Sequence, residues 1–317
     1  MKQVLGLEIG GTKTSVWLGR REGDKMTLAA HELFPTPREP AECFRLMAEA
    51  GDRLLEKAGG GLTAVGISCG SPMDAEKGIV QSPPNLPLWR DIPIAQWAKE
   101  HWQVPAFLAN DADACALAEW QYGAGRGTRN MVFFTCGTGF GAGLILDGRL
   151  YSGTIGMGGE IGHLRLAEAG PVGYGKRGSV EGFCSGGGIR QLAETYAREA
   201  EQAGHPVPWA KEGFTARDVA EAAMAGDETA KAVWAETGRW LGRTASVVVD
   251  LLNPQRIVIG SIFARSGSLM REAMEAEMKK ECLPANLSVC EVVPCELGEE
   301  MGGYGCMAVA ETRLALE

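Results

Sequence analysis

Paired cysteines are missing from this chain. The nine it has (Cys43, Cys69, Cys115, Cys136, Cys184, Cys282, Cys290, Cys295 and Cys306) are odd in number and scattered, and no two stand as Cys-x-x-Cys. That pattern argues against a disulfide framework or a redox pair and reads as reduced, mostly buried thiols in a cytoplasmic protein. An excess of positive charge is missing too. Lys and Arg total 31 against 40 Asp and Glu, a formal net charge of −9. Without clustered cations, a nucleic-acid partner is not expected. A nucleotide is a different matter, because a few backbone N–H groups and one Mg²⁺ neutralise a triphosphate locally. No apolar run is long enough to span a bilayer, so no membrane partner is expected. Met1-Lys2 passes straight into the strand-like Gln3–Leu7, so no signal peptide is expected. There is no Gly-Lys-Ser/Thr of a Walker P-loop and no short-period repeat.

What remains is an ordinary globular composition, 45% hydrophobic and 22% charged over 317 residues, ample for two domains. Strands are expected at Val4–Ile9, Thr14–Leu18, Met26–Phe34, Ala64–Ser68 and Ala106–Ala109, with helices at Ala41–Ala58, Ile94–His101 and Ala112–Tyr122. The glycine-dense Gly123-Ala124-Gly125-Arg126-Gly127 marks the boundary between lobes 1–122 and 123–317. Beyond it come strands at Met131–Thr135 and Gly141–Leu146 and a long Gly-rich loop, Gly153–Gly188. Helices follow at Ile189–Ala203, Ala216–Ala225 and Glu228–Leu252. The chain then reads as a strand at Ile257–Gly260, a helix at Leu269–Lys280, a strand at Leu287–Val293 and a last helix at Met307–Leu316. Strand sets interrupted by helices in both halves indicate an α/β protein of two similar lobes.

Two Gly/Thr turns flank apolar strands, one in each half: Gly10-Gly11-Thr12 and Gly137-Thr138-Gly139. Each is a hairpin signal, and each is also a nest of N–H donors open to a phosphate. Between them stands Asn110-Asp111 at a strand-to-helix junction. The pair can cap the helix, or it can hold and deprotonate a hydroxyl. Asp113 is the neighbouring carboxylate, suited to the helix dipole. Glu160 and His163, three apart in a Gly-rich loop, can face one ligand, with Glu181 a third polar candidate. A lone His in such a loop is also commonly structural, and His31, His101 and His205 read as surface or packing residues. Two phosphate turns around a candidate base point to phosphoryl transfer to an alcohol, a sugar being the natural acceptor.

Together these segments resemble the ROK family of sugar kinases and repressors, within the actin-like, hexokinase-type ATPase superfamily. The likeness runs through Glu8-Ile-Gly-Gly-Thr-Lys13, Gly66-Ile-Ser68, Pro84-Asn-Leu-Pro87, Asn110-Asp-Ala-Asp-Ala114, Gly137-Thr-Gly139 and Gly159-Glu-Ile-Gly-His163. It implies duplicated ribonuclease H-like lobes with ATP between them, the last helix joining the first lobe. It also implies a cytoplasmic homodimer that phosphorylates a hexose or N-acetylhexosamine, at O6. Carried over by motif, Asp111 is the base, and Ser71, Asn85, Asn110, Glu160, His163 and Glu181 lie at the sugar. Gly10, Gly11, Thr12, Lys13, Gly137, Thr138, Gly139, Gly260 and Ser261 lie at the nucleotide, with Glu8 acting indirectly on Mg²⁺. The family's repressors carry an added N-terminal helix-turn-helix domain, for which a phosphate turn at residue 10 leaves no room.

The chain departs from that pattern in four places. Glu8 replaces an Asp, displacing the carboxylate by about 1 Å, an error that can cost roughly 10²-fold in rate; this keeps a weakly active or non-catalytic sugar-binding protein as the alternative. Val172, Tyr174 and Ser179 stand where the family's structural zinc has its cysteines. His163 alone cannot build a tetrahedral site, so no zinc is expected, and packing of Val172 and Tyr174 is expected to hold the loop. Ser71 replaces a Gly beside the sugar. Gly260-Ser261 replaces Gly-Gly.

Overall fold

A computed structural model describes residues 2–23 and 25–316; Met1 and Glu317, the outer ends of the two expected lobes, lie outside the described residues with Asp24. The first half runs β1 (Lys2–Ile9), β2 (Lys13–Glu22), β3 (Lys25–Pro35), α1 (Pro40–Ala58) and β4 (Gly61–Cys69). The ribbon β5 (Met73–Asp74) and β6 (Ile79–Val80) follows, then α2 (Ile94–Trp102), β7 (Ala106–Asn110) and α3 (Asp111–Tyr122). The second half opens with β8 (Met131–Cys136), β9 (Phe140–Leu146) and β10 (Arg149–Leu150), then the ribbon β11 (Val172–Gly173) and β12 (Lys176–Arg177). Helices α4 (Val180–Cys184), α5 (Gly186–Gln202), α6 (Ala216–Met224) and α7 (Glu228–Leu252) precede β13 (Arg256–Ile259). The chain ends with α8 (Ile262–Ser266), α9 (Arg271–Glu281), α10 (Pro284–Leu287), β14 (Glu291–Pro294) and α11 (Met301–Leu314). Among the described residues no helix is long and apolar enough to cross a membrane.

The two halves repeat one topology. The first sheet has the order β3-β2-β1-β4-β7 and the second β10-β9-β8-β13-β14. In each, an antiparallel hairpin pair is followed by parallel strands. This is the α/β, actin-like duplication expected from the sequence.

Alternation along β1 explains why both faces of the first sheet are covered. Leu5, Leu7 and Ile9 face Cys43, Met47 and Ala98 of α1 and α2, while Val4 faces Cys306, Met307 and Ala310 of α11. Gly6 lies on the α11 face, where a Cβ would stand 2.7 Å from that of Cys306. The second sheet buries Val132, Phe134 and Cys136 against α4–α7, and Met131 and Phe133 against α3. Full burial of each such aliphatic or aromatic side chain contributes about 1.5–3 kcal/mol. The middle of the molecule is therefore a stack of first sheet, α11, α3 and second sheet.

Three expectations about local structure change. The last helix starts at Met301, not Met307. Met301-Gly302-Gly303-Tyr304-Gly305 reads as a breaker, yet these glycines lie where helix and sheet approach: a Cβ at Gly303 would stand 2.7 Å from the Trp17 ring and one at Gly305 3.3 Å from Ala114. The strand expected at Leu287–Val293 begins only at Glu291, opposite Arg256, because Pro284 opens one helical turn first. The Gly-rich loop ends at Ser179, which caps α4, and Ser185 then caps α5 by accepting the Gly188 N–H.

The loop before α4 is not held by packing of Val172 and Tyr174, which are 42% and 72% exposed. Hydrogen bonds hold it instead. The Gln191 side chain accepts from Val172 N–H and donates to Val172 C=O, both at 2.9 Å. The Lys176 ammonium donates to His163 C=O at 2.7 Å. Buried Ser179 donates to Lys176 C=O and accepts from Gly182 N–H. Replacing Gln191 by Ala should cost about 1 kcal/mol and speed amide exchange selectively over residues 172–177. Urea unfolding and exchange mass spectrometry measure the two, and unchanged exchange there would show that the ribbon stands on its own pairing.

Candidate active site

The first glycine turn is tied down from behind. Gly10 N–H donates to Lys13 C=O at 3.0 Å. Thr36, at the exit of β3, gives its N–H to Thr12 C=O and its hydroxyl to Gly10 C=O, at 3.0 and 2.6 Å. Carbonyls of the turn are thus engaged on one side, while Gly10, Gly11 and Thr12 remain exposed. Gly11 also has no room for a side chain, because Asn85 is seated against it.

Glu8 follows from the alternation of β1: Val4, Gly6 and Glu8 share the face toward α11. Its carboxylate accepts the Trp17 indole N–H at 3.0 Å and lies against Gly302, where any Cβ would collide with it. The longer side chain is accommodated by a donor on β2 and by a missing side chain on α11. Trp17 is itself stacked on His31, with centroids 4.3 Å apart.

The β7–α3 junction fixes Asn110 and Asp111. Asn110 Oδ1 accepts from Ala112 N–H at 2.8 Å, so the amide orientation is set and its Nδ2 donates to Ser71 Oγ at 2.8 Å. Asp111 Oδ1 accepts from Ala112 N–H at 2.9 Å. Asp111 is exposed to solvent in the cleft, set in the concave wall of the cavities there with protein close around its carboxylate. That enclosure pushes its pKa up, against the pull of the Ala112 N–H. Asp113 is buried and accepts from Ser152 Oγ at 2.8 Å; burial moves its pKa up to about 6, the Asp111 charge adding to the shift.

On the second sheet, Gly137 N–H donates to Gly139 C=O, and Gly137 C=O accepts from Gly186 N–H at the start of α5. Ser261 lies beside Gly137. The residue that replaces a glycine there adopts φ of 50°, a left-handed conformation that a side chain disfavours and glycine does not. Glu181 Oε2 accepts from Phe140 N–H at 3.0 Å, coupling the sugar-loop candidates to the second turn. Burial raises the Glu160 pKa, the Asp111 charge raises it further, and His163 lowers it. The exposed His163 ring stands edge-on to Tyr174, 6.2 Å between centroids.

Two cavities open at these turns. One, of about 590 Å³, is lined by Glu8, Gly10, Lys13, Trp17, Asp111 and Gly302, among others. The other, of about 210 Å³, includes Asn110, Asp111, Thr135, Gly139 and Glu160 in its wall. Asp111 belongs to both. Ser71 and Glu181 stand one hydrogen bond behind these walls, through Asn110 and Phe140, while Asn85 packs against Gly11 of the first turn, which lines neither cavity. Sequence reading missed Thr36, Trp17 and Gly302. Each acts on a residue distant along the chain, and no local pattern marks it. Among the described residues, no three His, Cys, Asp or Glu side chains form a metal-holding group.

The glucokinase of Thermotoga maritima is 29% identical to this chain over 316 residues, 98% of each protein. A ROK family glucokinase from Streptomyces griseus, solved with glucose and AMPPNP, superposes with a TM-score of 0.77 at 25% identity, covering 98% of this chain and 99% of its own. A ROK family transcriptional regulator, a homolog of the E. coli MLC protein, superposes with a TM-score of 0.84 at 24% identity. It is covered over 78% of its length, against 97% of this chain. The ROK family model matches residues 4–313, nearly the whole chain, and the chain belongs to the ROK family.

Proposed function

We propose that this protein is an ATP-dependent kinase that phosphorylates a hexose or N-acetylhexosamine, at O6, with Asp111 as general base. The observation that carries the reading is the position of Asp111 in the wall common to both cavities, one opening on each glycine turn. The glucokinase relatives support the same class of reaction. The sugar is held by Asn110 and Glu160 in the smaller cavity, with His163 and Glu181 beside them and Ser71 and Asn85 supporting. Asp111 takes the hydroxyl proton, the freed oxygen attacks the γ-phosphorus in line, and the bond to the ADP oxygen breaks as the new one forms. Gly10–Lys13 and Gly137–Gly139 hold the phosphates, with Gly260-Ser261 and the start of α5 beside the nucleoside.

Glu8 fits a hydrated Mg²⁺: its carboxylate lines the larger cavity with Gly10 and Lys13, and Trp17 fixes its orientation. Bound there, Mg²⁺ neutralises phosphate charge as it develops. We assign residues 1–122, with α11, to one lobe and the remainder of 123–317 to the other. Closure about Gly123–Gly127 excludes water. A cytoplasmic homodimer is the assembly we infer for it, with no nucleic-acid partner for so acidic a chain.

Asp111→Ala should lower turnover roughly 10²–10⁴-fold while sugar affinity by calorimetry changes little; unchanged turnover removes the assigned base. Because the base acts deprotonated and its pKa is raised, kcat/KM should fall on acidification at a pH above the ordinary carboxylate range. An acid limb at the ordinary Asp value would contradict this.

The weakly active alternative rests on Glu8 and has its own test. Glu8→Asp, although it restores the family's usual residue, should reduce turnover about 10- to 100-fold and weaken Mg²⁺·ADP binding, because the shorter carboxylate withdraws from Trp17. A gain in turnover would show that Glu8 is only tolerated.

We infer that the loop at 172–179 folds without zinc, its lock being Gln191, Lys176 and Ser179. Treatment with 1,10-phenanthroline should leave Tm unchanged, and stoichiometric zinc in the purified protein would overturn the inference.

A further inference from the structure

The chain passes between its two sheets twice. Residues 123–130 connect α3 to β8, and residues 295–300 connect β14 to α11. An exposed pair, Arg126 and Glu296, ties the passages at 3.3 Å, and one buried side chain outside them bonds both. Glu119, in the last turns of α3, is 0% exposed. Its Oε2 accepts from Ala124 N–H at 2.7 Å. Its Oε1 accepts from Glu296 N–H and from Leu297 N–H, both at 3.0 Å, and Oε2 shares the Glu296 N–H at 3.2 Å. The Glu119 backbone carbonyl adds bonds from Gly123 N–H and Gly125 N–H. Gly123 is obligatory in this arrangement, because a Cβ there would run into the carboxylate.

All of the carboxylate's partners are backbone N–H groups, so they stay wherever the two passages go. Charge-assisted bonds of this kind are roughly twice as strong as neutral ones, and losing one partner from a buried set is costly. At the other end of the same helix stands Asp111. We propose that Glu119 is the pivot pin of the molecule: it binds both passages to α3, so the lobes turn about one point and Asp111 is carried into register with the second glycine turn. Glu119 is a positioning residue, and its effect on turnover rests on the kinase reading above.

Two variants and two readouts test this. Glu119→Gln keeps the volume but sets an amide NH₂ against backbone N–H donors. Gly123→Ala presses on the carboxylate from outside and serves if the first variant does not fold. Amide exchange without any ligand should accelerate tenfold or more at residues 124–126 and 296–298 together, with circular dichroism unchanged. In coupled ADP-release assays with the hexose that the wild type uses best, kcat should fall about 10- to 100-fold with sugar KM within about threefold. Acceleration in one passage alone overturns the pin. Acceleration in both with unchanged kcat overturns the positioning role. If the wild type releases no ADP with any hexose or N-acetylhexosamine, the kinase reading fails and, with it, the link to turnover; the exchange measurement still decides the pin.

Discussion

The crossing of α3 and α11 between the sheets is the constraint on which the rest depends. It is a contact of small residues. Gly305 meets Ala114, Gly143 admits α3 onto β9, and Gly6 and Gly66 admit α11 onto β1 and β4. A methyl at Gly143 would stand 2.5 Å from the Ala112 carbonyl oxygen, so the stack has no slack to give. Because the helices lie this close, their first residues reach the cleft together: Asp111 opens α3, and Gly302 sits in the first turn of α11. The start of α5 adds a third N-terminus beside Gly137. Helix N-termini carry partial positive charge and free N–H donors. A chain with net charge −9 can therefore offer anions a favourable cleft without a basic patch.

The same convergence crowds carboxylates. Asp111, Asp113 and Glu160 each have raised pKa values, burial being the first cause in every case and Asp111 contributing to the other two. Like charges in an enclosed space favour protonation. Such a set is costly to the fold and useful to proton transfer, since a base works best when its pKa approaches the working pH. Hydrogen bonds limit the cost. Ser152 serves Asp113, Ala112 N–H serves Asp111, and Trp17 serves Glu8.

Much of the architecture was legible in the sequence because period-2 and period-3.6 patterns are local. The two glycine turns and Asn110-Asp111 announced themselves by residue type. What stayed hidden depends on partners far along the chain. Met301–Gly305 forms a helix because glycine is what fits between Trp17, Glu8 and Ala114, a tertiary demand that overrides helix propensity. Trp17 reads as a core strand residue, yet its indole nitrogen orients Glu8. Glu119 reads as one more polar residue on a helix of little amphipathic contrast, until Glu296 and Leu297 are folded against it from 177 and 178 residues away. The Val172–Ser179 loop misled for the opposite reason: exposed hydrophobics suggested packing where the side chains of Gln191, Lys176 and Ser179 hold the backbone by hydrogen bonds.

Where the chain departs from the ROK pattern, neighbouring groups take up the change. The extra methylene of Glu8 is met by the Trp17 N–H and by the absence of a side chain at Gly302. The hydroxyl of Ser71 accepts from Asn110, whose Oδ1 is already fixed by α3, so the proton of Ser71 is left for some other acceptor. Ser179 uses its oxygen twice, toward Lys176 C=O and Gly182 N–H. Ser261 and Tyr174 keep a cost, a backbone at positive φ of 50° and 45°. Independent loss of a site's chemistry leaves buried polar atoms orphaned and space unfilled, because nothing couples the residues that change. Here Glu8, Ser71 and Ser179 have partners at bonding distance, and the carboxylate at position 8 is held in one orientation. That physical coherence supports the working cleft we propose over a vestigial one, with Trp17 as the group that sets the reach of the Glu8 carboxylate.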